Sequence, residues 1–306
     1  LNDGILLLDK PSGLSSTAAG MRVRRLLGAD KAGHVGSLDP LATGMLPICI
    51  GEATKLAAEI LEGDKVYRFL IALGERRATG DTEGEVVETA TVPVLAQQHI
   101  VAVLSRFLGE SMQVPPMYSA IKQGGVPLYK RARAGETVER APRPIRIERL
   151  ELLGATADAL DCRVVCGKGT YVRVLAEDIA RALGTVGHVA RLRRESVQPF
   201  DPARMVTLEA LETTAADQLP WVSLDEAVGH LPLVSLGPDP ARRLGQGQIV
   251  DAPEVLHGAL GSLVRVHGPG GRFLGLGRVV APARMAAKRL VAQQVNEYNP
   301  RPSTRP

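Results

Sequence analysis

Gly33-His34-Val35-Gly36-Ser37-Leu38-Asp39-Pro40-Leu41-Ala42-Thr43-Gly44 runs without a break into the apolar segment Met45-Leu46-Pro47-Ile48-Cys49-Ile50. A single carboxylate, Asp39, therefore stands in a turn of glycine and proline, flanked by apolar residues, ahead of a buried strand expected over Leu46–Ile50. Glycines let the backbone bend sharply and let a ligand come close to it. An Asp in such a turn either bonds its own backbone or is a carboxylate held for chemistry, and the stretch alone leaves both open. His34 is equally two-sided: a core or cap histidine, or a base or stacking partner.

Outward from this stretch, strand-like and helix-like segments mix. On the amino-terminal side, Gly4–Leu8 reads as a buried strand and Lys10-Pro11-Ser12-Gly13 as a turn; Ser16 is placed to cap a helix reaching about Leu27, stopped by Gly28. On the other side come an amphipathic helix over Glu52–Leu61, a strand over Lys65–Leu73 and a polar loop over 75–84. A helix over Ala96–Leu108, strands over Arg146–Leu153 and Leu160–Cys166, a helix over Val172–Leu183 and a strand over His188–Gln198 follow. Helices and strands are mixed without strict βαβ alternation, so the expected class is α+β with a mostly antiparallel sheet and flanking helices. Residues 114–145 break the pattern with Pro115, Pro116, Gly124, Gly125, Pro127, Gly135, Pro142 and Pro144. Such an insertion is either a solvated loop or a flap. Leu231 through Pro240 reads as a linker, and the Gly- and Val-rich stretch after it as a small all-β module; the domains are expected at 1–230 and 231–298, with a disordered tail at 299–306.

The composition narrows the function. Across 306 residues, 45% of them apolar, the chain can bury a sizeable core. No apolar run approaches the length of a membrane span, and Ile5–Leu8 is stopped by Asp9-Lys10, too short for a secretory signal. A cytoplasmic protein is expected. Three cysteines (Cys49, Cys162, Cys166) make no disulfide framework. A zinc site on Cys162 and Cys166 lacks further Cys or His ligands close by in sequence, so buried thiols are favoured. The net charge of +4 conceals two basic segments: 122–149 carries a net +5 and 265–289 a net +6, on an otherwise acidic chain. Polyanions are the natural partners of such patches. Neither a dinucleotide fingerprint nor a P-loop is present, and no cofactor or metal is expected.

The stretch Gly33 to Pro47 strongly resembles the signature of the TruB family of tRNA pseudouridine synthases. Four more segments resemble that family's motifs in the same order: Leu7-Leu8-Asp9-Lys10-Pro11-Ser12-Gly13, Lys65-Val66-Tyr67, Gly167-Lys168-Gly169-Thr170-Tyr171-Val172-Arg173 and His188-Val189-Ala190-Arg191-Leu192-Arg193-Arg194. Five spaced motifs over about residues 4–212 are far more specific than any single one. Val35 departs from the threonine found in many members.

The resemblance implies a pseudouridine synthase fold with a thumb-like flap at the basic insertion and a PUA-like carboxy-terminal domain. It implies isomerisation of the tRNA T-loop uridine, position 55, and assigns Asp39 as nucleophile or base, Arg173 as its partner, and Tyr67 as the ring stacked on the base. Tyr171 and Leu192 would wall the pocket, and His34 would brace the stack left by the flipped nucleotide. Lys10, Arg191, Arg193 and Arg194, with Lys130, Arg131 and Arg133 of the insertion, are expected phosphate contacts. Asp81 is placed near a polar contact of unclear role. The implied partner is the T-arm of tRNA, bound by a monomer with no guide RNA and no membrane. An RNA-folding protein using the same surface is the alternative. A hydrolase built on Asp39 would usually need a second carboxylate, which the motif lacks.

Overall fold

The computed structural model describes residues 3–60, 63–255 and 257–291. They fall into two compact units, Leu1–Ser223 and Leu224–Pro306. In the first, chain order gives β1 (Gly4–Lys10), α1 (Ser16–Leu26), β2 (Ala32–His34), β3 (Thr43–Ile50), α2 (Ala57–Ile60), β4 (Lys65–Leu73), β5 (Glu75–Arg77), β6 (Val86–Thr89), α3 (Gln97–Ser105) and β7 (Gly109–Gln113). The insertion holds β8 (Lys122–Gln123), β9 (Val126–Pro127) and α4 (Leu128–Arg133). Then come β10 (Arg143–Ala155), β11 (Ala159–Cys166), α5 (Val172–Ala182), β12 (Gly187–Val197), β13 (Met205–Val206) and α6 (Leu208–Thr213).

Nine strands form one mixed sheet in the order β13-β1-β3-β12-β4-β11-β10-β7, with β2 hung on β3. Only β1–β13 and β3–β12 pair in parallel. The expected α+β class and mostly antiparallel sheet are therefore the architecture found. The reason shows in β4, where Lys65, Tyr67, Phe69, Ile71 and Leu73 are buried and the intervening residues are not. This period of two aims one face at the core formed with α1, α3 and α5. The same alternation is absent from β1, whose Ile5, Leu6, Leu7 and Leu8 are all fully buried, as in a strand covered on both faces.

Several boundaries differ from expectation for identifiable reasons. Ser15, not Ser16, caps α1, its hydroxyl accepting from the Ala18 amide at 3.2 Å. Ser16 is buried inside the first turn and serves another purpose, described below. The segment expected as one helix over Glu52–Leu61 begins as a 3-10 helix, Gly51–Leu56, before α2; Leu61 lies outside the described residues. Part of the polar loop over 75–84 is β5, which pairs with β6 as a ribbon of its own, so polarity there marks a solvated strand and not a loop.

The second unit contains α7 (Leu224–Ala227), β14 (Leu233–Ser235), α8 (Pro238–Gly245), β15 (Val250–Asp251), β16 (Leu263–His267), β17 (Phe273–Ala281) and β18 (Arg284–Leu290). Its five-stranded sheet runs β14-β16-β17-β18-β15 around a core that includes Val234, Leu244, Val264, Val266 and Met285. Two expectations are corrected here. The stretch expected as a linker is ordered structure, since β14 pairs in parallel with β16 and Val234 is fully buried. The module is also not purely β, because α8 starts at Pro238; a proline at a helix start needs no amide partner, and its punctuation resembles a linker's. The tail expected to be disordered at 299–306 lies outside the described residues.

Candidate active site

The turn that carries Asp39 leaves the sheet where β3 meets β12, two strands joined only through Arg193↔Thr43 and Arg194↔Gly44. Glycines bound the turn. Gly44 has φ +98°, and a Cβ on it would come within 2.2 Å of the Arg194 carbonyl oxygen, so this position requires both the conformation and the missing side chain. Ser16 pins the middle: its hydroxyl accepts from the Leu38 amide at 2.7 Å and donates to the Leu38 carbonyl at 2.9 Å. The Ala42 amide donates to the Asp39 carbonyl at 3.0 Å, closing the bend.

Facing Asp39 is Arg173, from the first turn of α5. Its Nε lies 2.9 Å from Asp39 Oδ2 and its Nη2 3.2 Å from Oδ1, a two-pronged pair. The guanidinium is otherwise committed to protein: Nη1 donates to the Thr79 carbonyl at 2.7 Å and Nη2 to the Tyr118 carbonyl at 2.8 Å. A second carboxylate, Asp81, lies 3.8 Å from Arg173 Nε and is only 2% exposed. Asp81 accepts from Thr79 Oγ1 at 2.5 Å and from the Glu83 amide at 3.0 Å. Arg173, itself 4% exposed, thus sits between two carboxylates and two carbonyls.

The Asp39 side chain keeps 36% of its surface open, as a reacting group must. Burial nevertheless pushes its carboxyl above the usual carboxylate range; Arg173 opposes the shift, and the charge of Asp81 reinforces it. Lys10 lies close enough for its charge to act on Asp39 as well.

Tyr67 is buried on β4, in register with Arg194 of β12, and burial raises its phenol. Tyr171 is half-buried at the start of α5, its amide and carbonyl gripped by the Gln113 side chain at 2.8 and 3.2 Å. Leu192 is buried opposite Phe69. His34 ends β2, half-buried; burial, with the Arg194 charge, lowers its imidazole below the ordinary value and keeps it neutral at pH 7.

Two expected phosphate contacts are corrected. The Lys10 side chain is fully buried and donates to the carbonyls of Pro11, Leu14 and Pro40 at 2.8, 2.7 and 3.3 Å; burial lowers its ammonium to about 8. Arg194 is 1% exposed and donates to the Met45 and Gly36 carbonyls at 2.7 and 2.9 Å. Neither reaches a phosphate at the surface, because backbone acceptors hold both. Arg193 is clamped by Asp9 at 2.9 and 2.8 Å, and Arg191 is exposed. Both border a cleft of about 540 Å³ that Ser12, Leu41, Thr43 and Leu192 also line.

Lys130, Arg131 and Arg133 stand on α4 and take no part in the Asp39–Arg173 contacts. Arg131 donates to the Gln123 carbonyl, Arg133 lies 5.7 Å from the Tyr129 ring centre, and Lys130 is exposed.

The sequence reading missed Gln113, Thr79 and the Tyr118 carbonyl. These are backbone or amide partners whose only trace is their place beside the polar loop and at the insertion's edge.

Known proteins resemble this chain over most of its length. Residues 24–172 match the TruB family pseudouridylate synthase (N terminal domain), residues 173–228 the tRNA pseudouridylate synthase B C-terminal domain, and residues 232–291 the Pseudouridine synthase II TruB, C-terminal. A protein of Stutzerimonas stutzeri (strain A1501) named tRNA pseudouridine synthase B is 48% identical over 298 residues, covering 95% of this chain and 96% of the other. One of the same name from Aromatoleum aromaticum (strain DSM 19018 / LMG 30748 / EbN1) is 50% identical over 292 residues, covering 95% and 93%. Among solved structures, a chain of a Cbf5-Nop10-Gar1 complex superposes with a TM-score of 0.70 at 25% identity, covering 92% of this chain and 79% of that one.

Proposed function

The chain belongs to the TruB family of pseudouridylate synthases, and on that premise we propose that it isomerises a uridine of tRNA to pseudouridine, the T-loop uridine at position 55, with Asp39 as the nucleophile or base. Support comes above all from one observation: an ionisable carboxylate, open on one side, gripped by a buried arginine at 2.9 and 3.2 Å.

The reaction breaks the bond from ribose C1′ to uracil N1, turns the base and rejoins it through C5. It exchanges no electrons with the surroundings and needs a group to engage the sugar or ring, a surface to retain the freed uracil, and an acceptor for the C5 proton. Asp39 supplies the first. Arg173 orients it, and since the guanidinium is held by two carbonyls and Asp81, it cannot swing away to follow the substrate. Tyr67 offers a ring to the base and a hydroxyl toward the moving proton; Tyr171 and Leu192 wall the site. The uridine must first leave its stack, which costs a few kcal/mol, and the neutral His34 braces the gap. Lys130, Arg131 and Arg133 of the insertion, with Arg191 and Arg193, hold phosphates of the T-arm. A monomer acting in the cytoplasm without guide RNA, and a division near residue 230 with a PUA-like RNA-binding unit behind it, complete the proposal.

Mapping pseudouridine in an unmodified tRNA transcript after incubation, by carbodiimide labelling and primer extension, tests this directly. One stop in the T-loop at position 55 is expected; a stop elsewhere, or none, contradicts it.

A further inference from the structure

Arg194 is a cation in the protein interior without a counter-ion beside it. At 1% exposure it ranks with the largest fully buried side chains, yet among the described residues no carboxylate lies within ion-pair distance of it. Burying such a charge is unfavourable unless its hydrogen bonds are well made. Its Nη2 donates to the Gly36 carbonyl at 2.9 Å and its Nε to the Met45 carbonyl at 2.7 Å, and its backbone pairs with that of Tyr67.

Those partners are not scattered. Gly36 and Met45 are the entrance and exit of the turn whose middle is Asp39, and Tyr67 belongs to β4. The backbone of Arg194 presses on the same turn, its carbonyl occupying the space a Gly44 side chain would need. A planar fork reaches both carbonyls from one fixed plane; a lysine ammonium, a point charge on a flexible stem, does not reproduce that geometry.

We propose that Arg194 is a positioning residue that ties the two ends of the Asp39 turn together, so that the carboxylate meets the uracil from one rigid turn. The proposal rests on the reaction assigned above and adds to it a group that touches neither substrate nor Asp39.

The test is a double-mutant cycle of Arg194→Lys and Ser16→Ala, the latter removing the hydroxyl that pins the middle of the same turn, read as kcat and KM on one tRNA transcript well below each variant's melting temperature. Misplacing a reacting group by about 1 Å costs on the order of a hundredfold. Arg194→Lys is therefore expected to lower kcat by about that factor with KM within about twofold. The same substitution in the Ser16→Ala background is expected to cost distinctly less. A kcat within about twofold of wild type, a loss falling on KM, or full multiplication of the two losses overturns the proposal.

Should Arg194→Lys fail to fold, ¹⁵N-arginine NMR of the wild-type protein decides it. Separate, slowly exchanging Nη1 and Nη2 signals for Arg194 are expected from a guanidinium locked on its acceptors, and one averaged signal rules the clamp out. That measurement does not depend on turnover, so an inactive wild type would sink the assigned reaction while leaving the clamp to be judged separately.

Discussion

Asp39 and Lys10 show what burial does to charge at the scale of one residue. Each is moved toward its neutral form, the carboxyl upward and the ammonium down to about 8. For Asp39 the folded protein holds its proton more tightly than the unfolded chain does. The resulting stability is full below the ordinary carboxylate range and is lost as pH rises through the raised value. The ionised carboxylate at pH 7 is thus a net cost that the fold carries for function. Asp39→Asn is expected to melt at or up to about 3 °C above wild type at pH 7, with that advantage shrinking toward pH 4. Calorimetry at the two pH values checks it, and a variant melting well below wild type at pH 7 contradicts the assigned environment. At this scale the sequence shows which residues are charged but not which are buried. Asp39, Tyr67 and Arg173 can be picked out because they sit in recognisable motifs. Lys10 and Arg194 sit in motifs too, but their acceptors are backbone carbonyls, which no side-chain identity reveals.

Among elements, the joint between α1 and the Asp39 turn depends on one hydroxyl. Ser16→Ala leaves the buried Leu38 amide and carbonyl without their partner, at a cost of about 1–3 kcal/mol. A lower urea midpoint with an unchanged slope is the expected result, accompanied by a fall in kcat larger than any change in KM. Gly44→Ala is expected to be worse, since it adds a methyl against the Arg194 carbonyl at a backbone angle only glycine tolerates; about 3 kcal/mol or more should be lost. Wild-type stability for Gly44→Ala would mean the turn is not built as described. Regular alternation makes β4 legible to the residue, Lys65–Leu73. Elements with weak or misleading punctuation are not: β14 and α8 hide behind prolines, and β5 behind its polarity.

For the whole molecule, charge distribution says more than net charge. The insertion's arginines lie on a short helix with few acidic neighbours, and a polyanion gains affinity there mainly by releasing counter-ions. Charge reversal of Arg131 and Arg133 together is expected to weaken tRNA binding and reduce the slope of log affinity against log salt by about two. An unchanged slope in a filter-binding titration would remove the insertion from the RNA contact surface. The α+β class and the basic segments are readable from sequence because they follow from pattern and composition. The meeting of β3, β12 and α5 that assembles the site is not, because pairing between strands over a hundred residues apart leaves no local signature.

Asp39 is proposed to perform the chemistry while binding rests on phosphate contacts elsewhere. This is tested most directly by tritium release from C5-labelled uridine in an unmodified tRNA transcript, with wild type and Asp39→Asn assayed side by side and their tRNA affinities measured in parallel. Release by wild type alone, at matched affinities, is the result expected. Release by Asp39→Asn at a comparable rate, or no release by wild type despite tight binding, would contradict it.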